Sequence, residues 1–315
     1  SSKIRSIPIT ISHTISAIDN RGGVQLRING IIVDKPEMTA LDPKDILRID
    51  FIDKPGVRYG ESLAYVINII TRRNDSGYSV GTDITSAITT IQGDGMAYGK
   101  WNKGKSEWSV SYDINGGKSK GSKILQTANY TLNDGSIYTI ERNDVETLRK
   151  YISHNAKLTY NWADSTATVF QTSLSGALNK TPDNYSIKEI IDGNHSYKAT
   201  SRDGSKDISP VLDIYFFRLT PKQSITANAV GTFISTKTNS FYDEGTPYIY
   251  NVDGKSASLL SEMIYENRLK PFTLSTGLNY RYKHTRNDYT GDASARTKMN
   301  DNKLYAFGEI KGSIK

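Results

Sequence analysis

From Gly77 onward, apolar and polar residues alternate along extended stretches of the chain. Phe272, Leu274, Thr276, Leu278, Tyr280 and Tyr282 are set against Thr273, Ser275, Gly277, Asn279, Arg281 and Lys283. Trp108, Val110, Tyr112 and Ile114 stand against Ser109, Ser111, Asp113 and Asn115, and Ile152, His154, Ala156, Leu158, Tyr160 and Trp162 against Ser153, Asn155, Lys157, Thr159 and Asn161. A period of two puts each set on its own face of a β-strand. The pattern predicts about ten strands, near 78–91, 95–101, 106–115, 150–161, 165–180, 209–219, 222–238, 255–269, 272–285 and 302–313.

One apolar and one polar face fits lipid outside and water inside, and equally a sandwich with a core inside and solvent outside. Connection lengths separate the two. The links NKGK, WADS, TPK and KP are two to four residues long, whereas those from Gly116, Thr181, Asn239 and Arg286 run to about fifteen to thirty-five. The first link of the second kind, Gln92 to Asp94, is short. A Greek-key sandwich has no reason to gather its tight turns at one end, but a transmembrane barrel has short turns on one side and long loops on the other. Trp101, Trp108 and Trp162, all the tryptophans of the chain, lie beside short turns with Phe217 and Phe272 close by. An aromatic girdle occupies that place in a membrane barrel.

The stretch before Gly77 follows other rules. Ile7, Ile9 and Ile11 alternate over a short strand. Val24, Leu26 and Ile28 alternate with Gln25 and Arg27, and Asn29-Gly30 then supplies a tight hairpin turn into Ile31, Ile32 and Val33. Asp42 caps a helical turn with Pro43 at its first position, and Ile46 to Asp53 is a strand in which Leu47, Ile49 and Phe51 oppose Arg48 and Asp50. Lys54-Pro55-Gly56 ends it, Arg58-Tyr59-Gly60 forms a loop, and Val66 to Thr71 is an apolar run suited to a strand covered on both faces.

The succession DPKDILRIDFID, KPGVRYG and VINIITRR resembles the C-terminal half of the plug domain of TonB-dependent outer-membrane receptors, over about fifty residues. Two departures are Lys54-Pro55-Gly56, where many members have Gly-Pro, and Leu63-Ala64-Tyr65, where many have a Gly-Gly pair. An ordinary α+β domain using the same hairpin and cap is the alternative. The resemblance implies a mainly β fold: a partial transmembrane antiparallel β-barrel of about ten strands in 75–315, preceded by a small, partial α+β plug in 1–74. Asn29, Gly30, Asp42, Pro43, Arg48, Pro55, Arg58, Tyr59, Gly60 and Asn68 are then structural signature positions of the plug. Arg48, Asp50, Arg58 and Tyr59 are expected to hold the plug to the barrel wall, with Arg58 meeting a lumenal carboxylate.

It further implies a receptor in the outer membrane of a Gram-negative bacterium. Such a receptor binds an extracellular ligand of unspecified identity and imports it by energised movement of the plug. The partners implied are outer-membrane lipid, a TonB-type energising protein acting through a plug segment not contained in this sequence, and a surface lipoprotein. Such receptors have 22-stranded barrels, and about ten strands enclose too narrow a lumen for a plug. The chain is therefore expected to be a piece of a longer protein, consistent with an N-terminus, SSKIRSIPIT, that lacks a signal-peptide pattern. The competing readings are a non-transporting barrel with a structural or adhesive role, and a soluble β-rich surface protein.

Composition agrees with strands rather than membrane helices: hydrophobic content is 37% and mean hydropathy −0.51, and no apolar run approaches the roughly 18 residues a spanning helix needs. The absence of Cys removes disulfides and thiolate metal sites. The net charge of +7 is spread among interspersed acids and bases, so no nucleic-acid-binding stripe arises. His13, His154, His195 and His284 are scattered without a second ligand at helical spacing, His154 among the apolar positions of its strand, and neither a metal nor a cofactor is expected. No nucleophile elbow or Walker loop is present, and GDGMAYG reads as a hairpin turn at Asp94-Gly95. His195, Asp243, His284 and Asp288 in outer links are the residues a rim hydrolase would use, but no enzyme is expected. Tyr185, Tyr197, Tyr242, Tyr248, Tyr250 and Tyr289 in the same links suit stacking on a sugar or a peptide.

Overall fold

The computed structural model describes residues 23–28, 31–33, 38, 41, 43–53, 63–71, 76–88, 90–164, 168–269 and 271–312. A four-stranded sheet comes first. β1 (Gly23–Ile28) turns back into β2 (Ile31–Ile32), and a 3-10 turn at Pro43–Asp45 leads into β3 (Ile46–Asp53) and then β4 (Leu63–Thr71). The order is β2-β1-β4-β3, with β4 parallel to β1 and antiparallel to β3. The apolar run of β4 is thus flanked by partners, and Val66 and Ile69 are buried. The hairpin expected at Asn29-Gly30 forms, with Ile28 opposite Ile31, although the two turn residues lie outside the described set. The apolar side of β3 departs from expectation: Leu47, Ile49 and Phe51 are exposed. The strand expected over Ile7 to Ile11 lies outside the described residues.

The remainder is one antiparallel sheet of eleven strands. They are β5 (Ser76–Ser86), β6 (Ile91–Lys103), β7 (Ser106–Lys120), β8 (Leu125–Thr131), β9 (Ile137–Asp164), β10 (Thr168–Asp192), β11 (His195–Leu219), β12 (Gln223–Asp243), β13 (Pro247–Leu269), β14 (Phe272–Gly291) and β15 (Ala295–Gly312). Each of the ten expected strands is present, and neighbours in sequence pair as hairpins, except that β7 and β8 both pair with β9. β5 and β15 are the two edges, so the sheet is not closed.

Three expectations are corrected. The long outer links are mostly strand: β9, β10 and β11 run to 28, 25 and 25 residues, and only Gly193 and Asn194 separate β10 from β11. Asp94-Gly95 lies inside β6, opposite Asn115 and Ile114, because the turn is made earlier, between Ser86 and Ile91. β8 is an eleventh strand, paired to the outer part of β9 through Leu125 opposite Asn143 and Thr131 opposite Ile137.

The two faces of this sheet are inverted relative to a water-soluble protein. Val110, Leu158, Leu174 and Leu212 stand opposite one another across four strands and are all exposed. Leu158 is 46% exposed, while its chain neighbour Thr159, on the other face, is 1% exposed. Ser111, Asn161, Gln171, Ser224 and Ser275 are likewise buried on the polar face, whereas a solvated sheet buries its apolar residues. An apolar cluster, Ala163, Val169 and Phe217 with Tyr215 and Leu219, sits on the polar face at the short-turn end.

The tryptophans gather where a girdle was expected, whereas Phe217, expected beside them, is buried on the polar face with Ala163 and Val169. Trp101 stands opposite Trp108, and Trp108 opposite Tyr160, with ring centroids of the latter pair 4.6 Å apart. Phe170 continues the row, 6.3 Å from Tyr160 and opposite Trp162. The Lys105 ammonium lies 5.9 Å over the Trp162 ring. The row marks the short-turn end on the apolar face.

Candidate functional site

Past Lys180 the strands continue well beyond the apolar band, and their covered face carries ionisable and aromatic groups. A β-bulge between Thr181 and Asn184, where Asp183 adopts φ 48°, shifts the register of β10. Facing shifts in β9 restore the pairing, with Lys188 opposite Asp144 and Asp192 opposite Ile140. The bulge thereby turns Ser186, Lys188, Ile190 and Asp192 to the covered face. Ile190 and Ala199 are its buried centre.

Asp144 anchors this region. Its carboxylate accepts from Lys188 Nζ at 3.0 Å, Ser186 Oγ at 3.0 Å and the Ile124 backbone N–H at 3.1 Å. Burial pushes its pKa up, but the Lys188 ammonium and these hydrogen bonds outweigh burial and hold it below the ordinary carboxylate value. Thr147 donates to the Ser122 carbonyl at 2.6 Å, so the connection between β7 and β8 is fastened twice.

A second group lies further out. The Glu244 carboxylate accepts from the Tyr197 hydroxyl at 3.1 Å and from the Tyr242 hydroxyl, with the Arg142 guanidinium at 3.8 Å. Donation to Glu244, reinforced by burial, pushes the Tyr242 hydroxyl up to about 12. Asp192 accepts from Tyr138. Tyr242 packs on Tyr248 with centroids 5.5 Å apart, and Tyr250 stacks on Tyr289 at 6.2 Å. Register puts Tyr138, Tyr197, Tyr242, Tyr248, Tyr250 and Tyr289 on one face. The arrangement offers ring faces, carboxylates and one guanidinium, which suits stacking and hydrogen bonding rather than covalent chemistry.

Five of the six tyrosines singled out from sequence come together here. Tyr185 lies on the opposite face and donates to Glu146 at 2.5 Å. The rim hydrolase set does not assemble: Asp243 accepts from the Gly245 N–H, Asp288 holds Arg286 and Arg296, and His284 pairs with Asn300. His154 keeps to the apolar face, its Nδ1 2.7 Å from the Tyr112 hydroxyl. Among the described residues, no three metal-ligating side chains come together.

Of the plug signature, Pro43 opens the 3-10 turn, Arg48 is exposed and pairs with Asp50 of its own strand at 3.1 Å, and Asn68 is half-buried in β4. Asn29, Gly30, Asp42, Pro55, Arg58, Tyr59 and Gly60 lie outside the described residues. Sequence reasoning missed Arg27. It is 6% exposed, receives support from Gln25 at 2.8 Å, and lies 5.8 Å over the ring of Tyr215 on the covered face of β11. The alternation of β1 marks Arg27 only as polar; nothing local signals burial.

No protein-family model and no curated protein matches the chain. Among solved structures, the ferric yersiniabactin uptake receptor FyuA from Yersinia pestis is 11% identical, with a TM-score of 0.45, covering 91% of this chain and 52% of that one. FpvA of P. aeruginosa is 12% identical with a TM-score of 0.40, over 92% of this chain and 48% of that one. The siderophore receptor PiuA from Acinetobacter baumannii is 9% identical with a TM-score of 0.35, over 92% and 55%. The chain spans about half the length of these structures.

Proposed function

We propose that the chain is part of a TonB-dependent receptor of a Gram-negative outer membrane: the end of its plug (1–74) and the first strands of its barrel (75–315). The observation that carries this reading is the inverted sheet, whose exposed face is apolar and whose covered face is polar from Ser111 to Ser275. Such a sheet is stable where lipid meets the first face and a hydrated lumen the second. Its edges, β5 and β15, leave ladder groups unpaired, which hydrocarbon does not tolerate; further strands complete the barrel. The small sheet stands on the lumenal side, where Arg27 meets Tyr215.

In this reading the outer tyrosine and carboxylate group is the wall that an extracellular ligand meets, and the plug moves when an energising protein pulls on it. No covalent step is required. The test is the intact mass of the native polypeptide in detergent extracts of outer membranes, with binding to the periplasmic domain of the energising protein. A chain of about twice 35.0 kDa that binds this domain is expected. A chain near 35.0 kDa has no room for an enclosed plug, and would leave a structural or adhesive barrel.

A further inference from the structure

Six cations stand in two consecutive rungs on the apolar face. Lys180 is opposite Lys206, and Lys206 opposite Lys237, across β10, β11 and β12. Two residues away in register, Lys255 is opposite Arg286, and Arg286 opposite Lys298, across β13, β14 and β15. Like charges directly opposite one another repel, and nothing in strand pairing asks for them. Asp253 and Asp288 are the acids beside them on this face: Asp253 lies 3.7 Å from Lys237, and Asp288 holds Arg286 and Arg296. Among the described residues Lys180, Lys206, Lys255 and Lys298 make no ion pair, and all four are exposed.

Position decides what the rungs meet. Lys180 and Lys206 each lie ten residues from the aromatic row, at Phe170 and Phe216, which stand opposite one another. Ten residues at about 3.3 Å each give roughly 33 Å of strand. A strand tilted by about 40° thereby crosses roughly 25 Å, the height of a barrel's apolar band. Leu178, Ile208 and Phe233 are the last apolar residues before the first rung. The ammonium groups therefore emerge where hydrocarbon gives way to headgroups.

We propose that these six side chains bind the phosphate groups of lipid headgroups in the leaflet reached by the long strand ends. The inference rests on the reading of this sheet as a membrane barrel. Phosphate oxygens bridging neighbouring cations turn mutual repulsion into shared attraction. The carboxylate-free stretch from Lys180 to Lys206 is the strongest site, and in the second rung Lys255 and Lys298, which flank the Asp288-paired Arg286, are the cations left for phosphate.

The full-length protein in a neutral detergent, titrated with phosphatidic acid or with phosphatidylcholine and read by native mass spectrometry, tests this. The wild type is expected to prefer phosphatidic acid, and K180Q/K206Q/K237Q/K255Q/R286Q/K298Q to lose roughly tenfold or more of that preference. R281Q/K283Q/K303Q, on the other face, is expected to keep it. K206Q alone, which relieves repulsion on both sides, is expected to melt higher in neutral detergent yet bind phosphatidic acid less; no change in either overturns the proposal even if the six-site variant fails to fold. A six-site variant that folds and keeps the preference also overturns it. Displacement of phosphatidic acid by equimolar inorganic phosphate would assign the rungs to a free anion instead. Failure of the wild type to insert into phosphatidylcholine vesicles would strike the membrane reading and this inference with it, whereas a wild type that inserts but shows no preference for phosphatidic acid would strike this inference alone.

Discussion

Asp144 shows how a single carboxylate can fix the outer architecture. It is almost wholly covered, and it satisfies an ammonium, a hydroxyl and a backbone N–H at once. Asp144→Ala strands those donors, and we expect a loss of about 2 kcal/mol in the local stability of β8 and the outer part of β9, measurable by amide hydrogen exchange. Because its folded pKa lies below the unfolded value, the contribution is present at neutral pH and is lost as pH falls below about 4 through the folded value. Protection of β8, taken relative to the intrinsic exchange rate at each pH, should fall over that range in the wild type and stay flat in Asp144→Asn. Arg27 is the second residue of this kind. Arg27→Ala removes the contact with Tyr215 and is expected to expose the small sheet to added protease, as is Arg58→Ala if Arg58 holds the plug through a lumenal carboxylate. Unchanged protection in both variants contradicts that locking role. Neither Asp144 nor Arg27 was legible in the sequence, since each depends on partners whose proximity only register and packing create.

At the level of elements, legibility tracked the apolar face. Wherever exposed apolar residues alternate with polar ones, as in Phe272 to Tyr282, the strand was readable and its inner end was placed to within a few residues. Where the strands leave the apolar band, as in Thr181 to Asp207 or Asn239 to Lys255, apolar residues no longer keep to one face, with Ile187 and Ile191 on one side and Ile190 on the other, and the period of two disappears. The backbone ladder continues regardless, because hydrogen bonding between strands does not depend on an apolar side. β8, LQTANYT, was missed for the same reason. Leu174→Arg, at the centre of the row Val110, Leu158, Leu174 and Leu212, should cost about 2–4 kcal/mol of folding free energy in phosphatidylcholine vesicles, by denaturant titration. Ser175→Arg, on the polar face, should cost clearly less. Equal costs would mean that the two faces meet the same medium.

The whole molecule combines two sheets with different logic. The small one buries Ile28, Val66 and Ile69 in β1 and β4 while leaving the apolar side of β3 exposed; the large one buries serine, threonine and asparagine and exposes leucine. That inversion, and not strand content, separates a membrane wall from a sandwich, and sequence alternation alone was equally compatible with both. These 315 residues contain no cysteine, so a label placed among them meets no competing thiol in this part of the chain. Single substitutions to cysteine at each position from Phe272 to Asn279 of the full-length protein, spin-labelled in lipid vesicles, report collisions with oxygen dissolved in lipid and with a water-borne nickel chelate. Labels at Phe272, Leu274, Thr276 and Leu278 should collide with oxygen and be shielded from the chelate, and those at Thr273, Ser275, Gly277 and Asn279 should show the reverse relation. Loss of the alternation, or chelate access at the first set, would contradict the lipid-facing assignment on which the account rests.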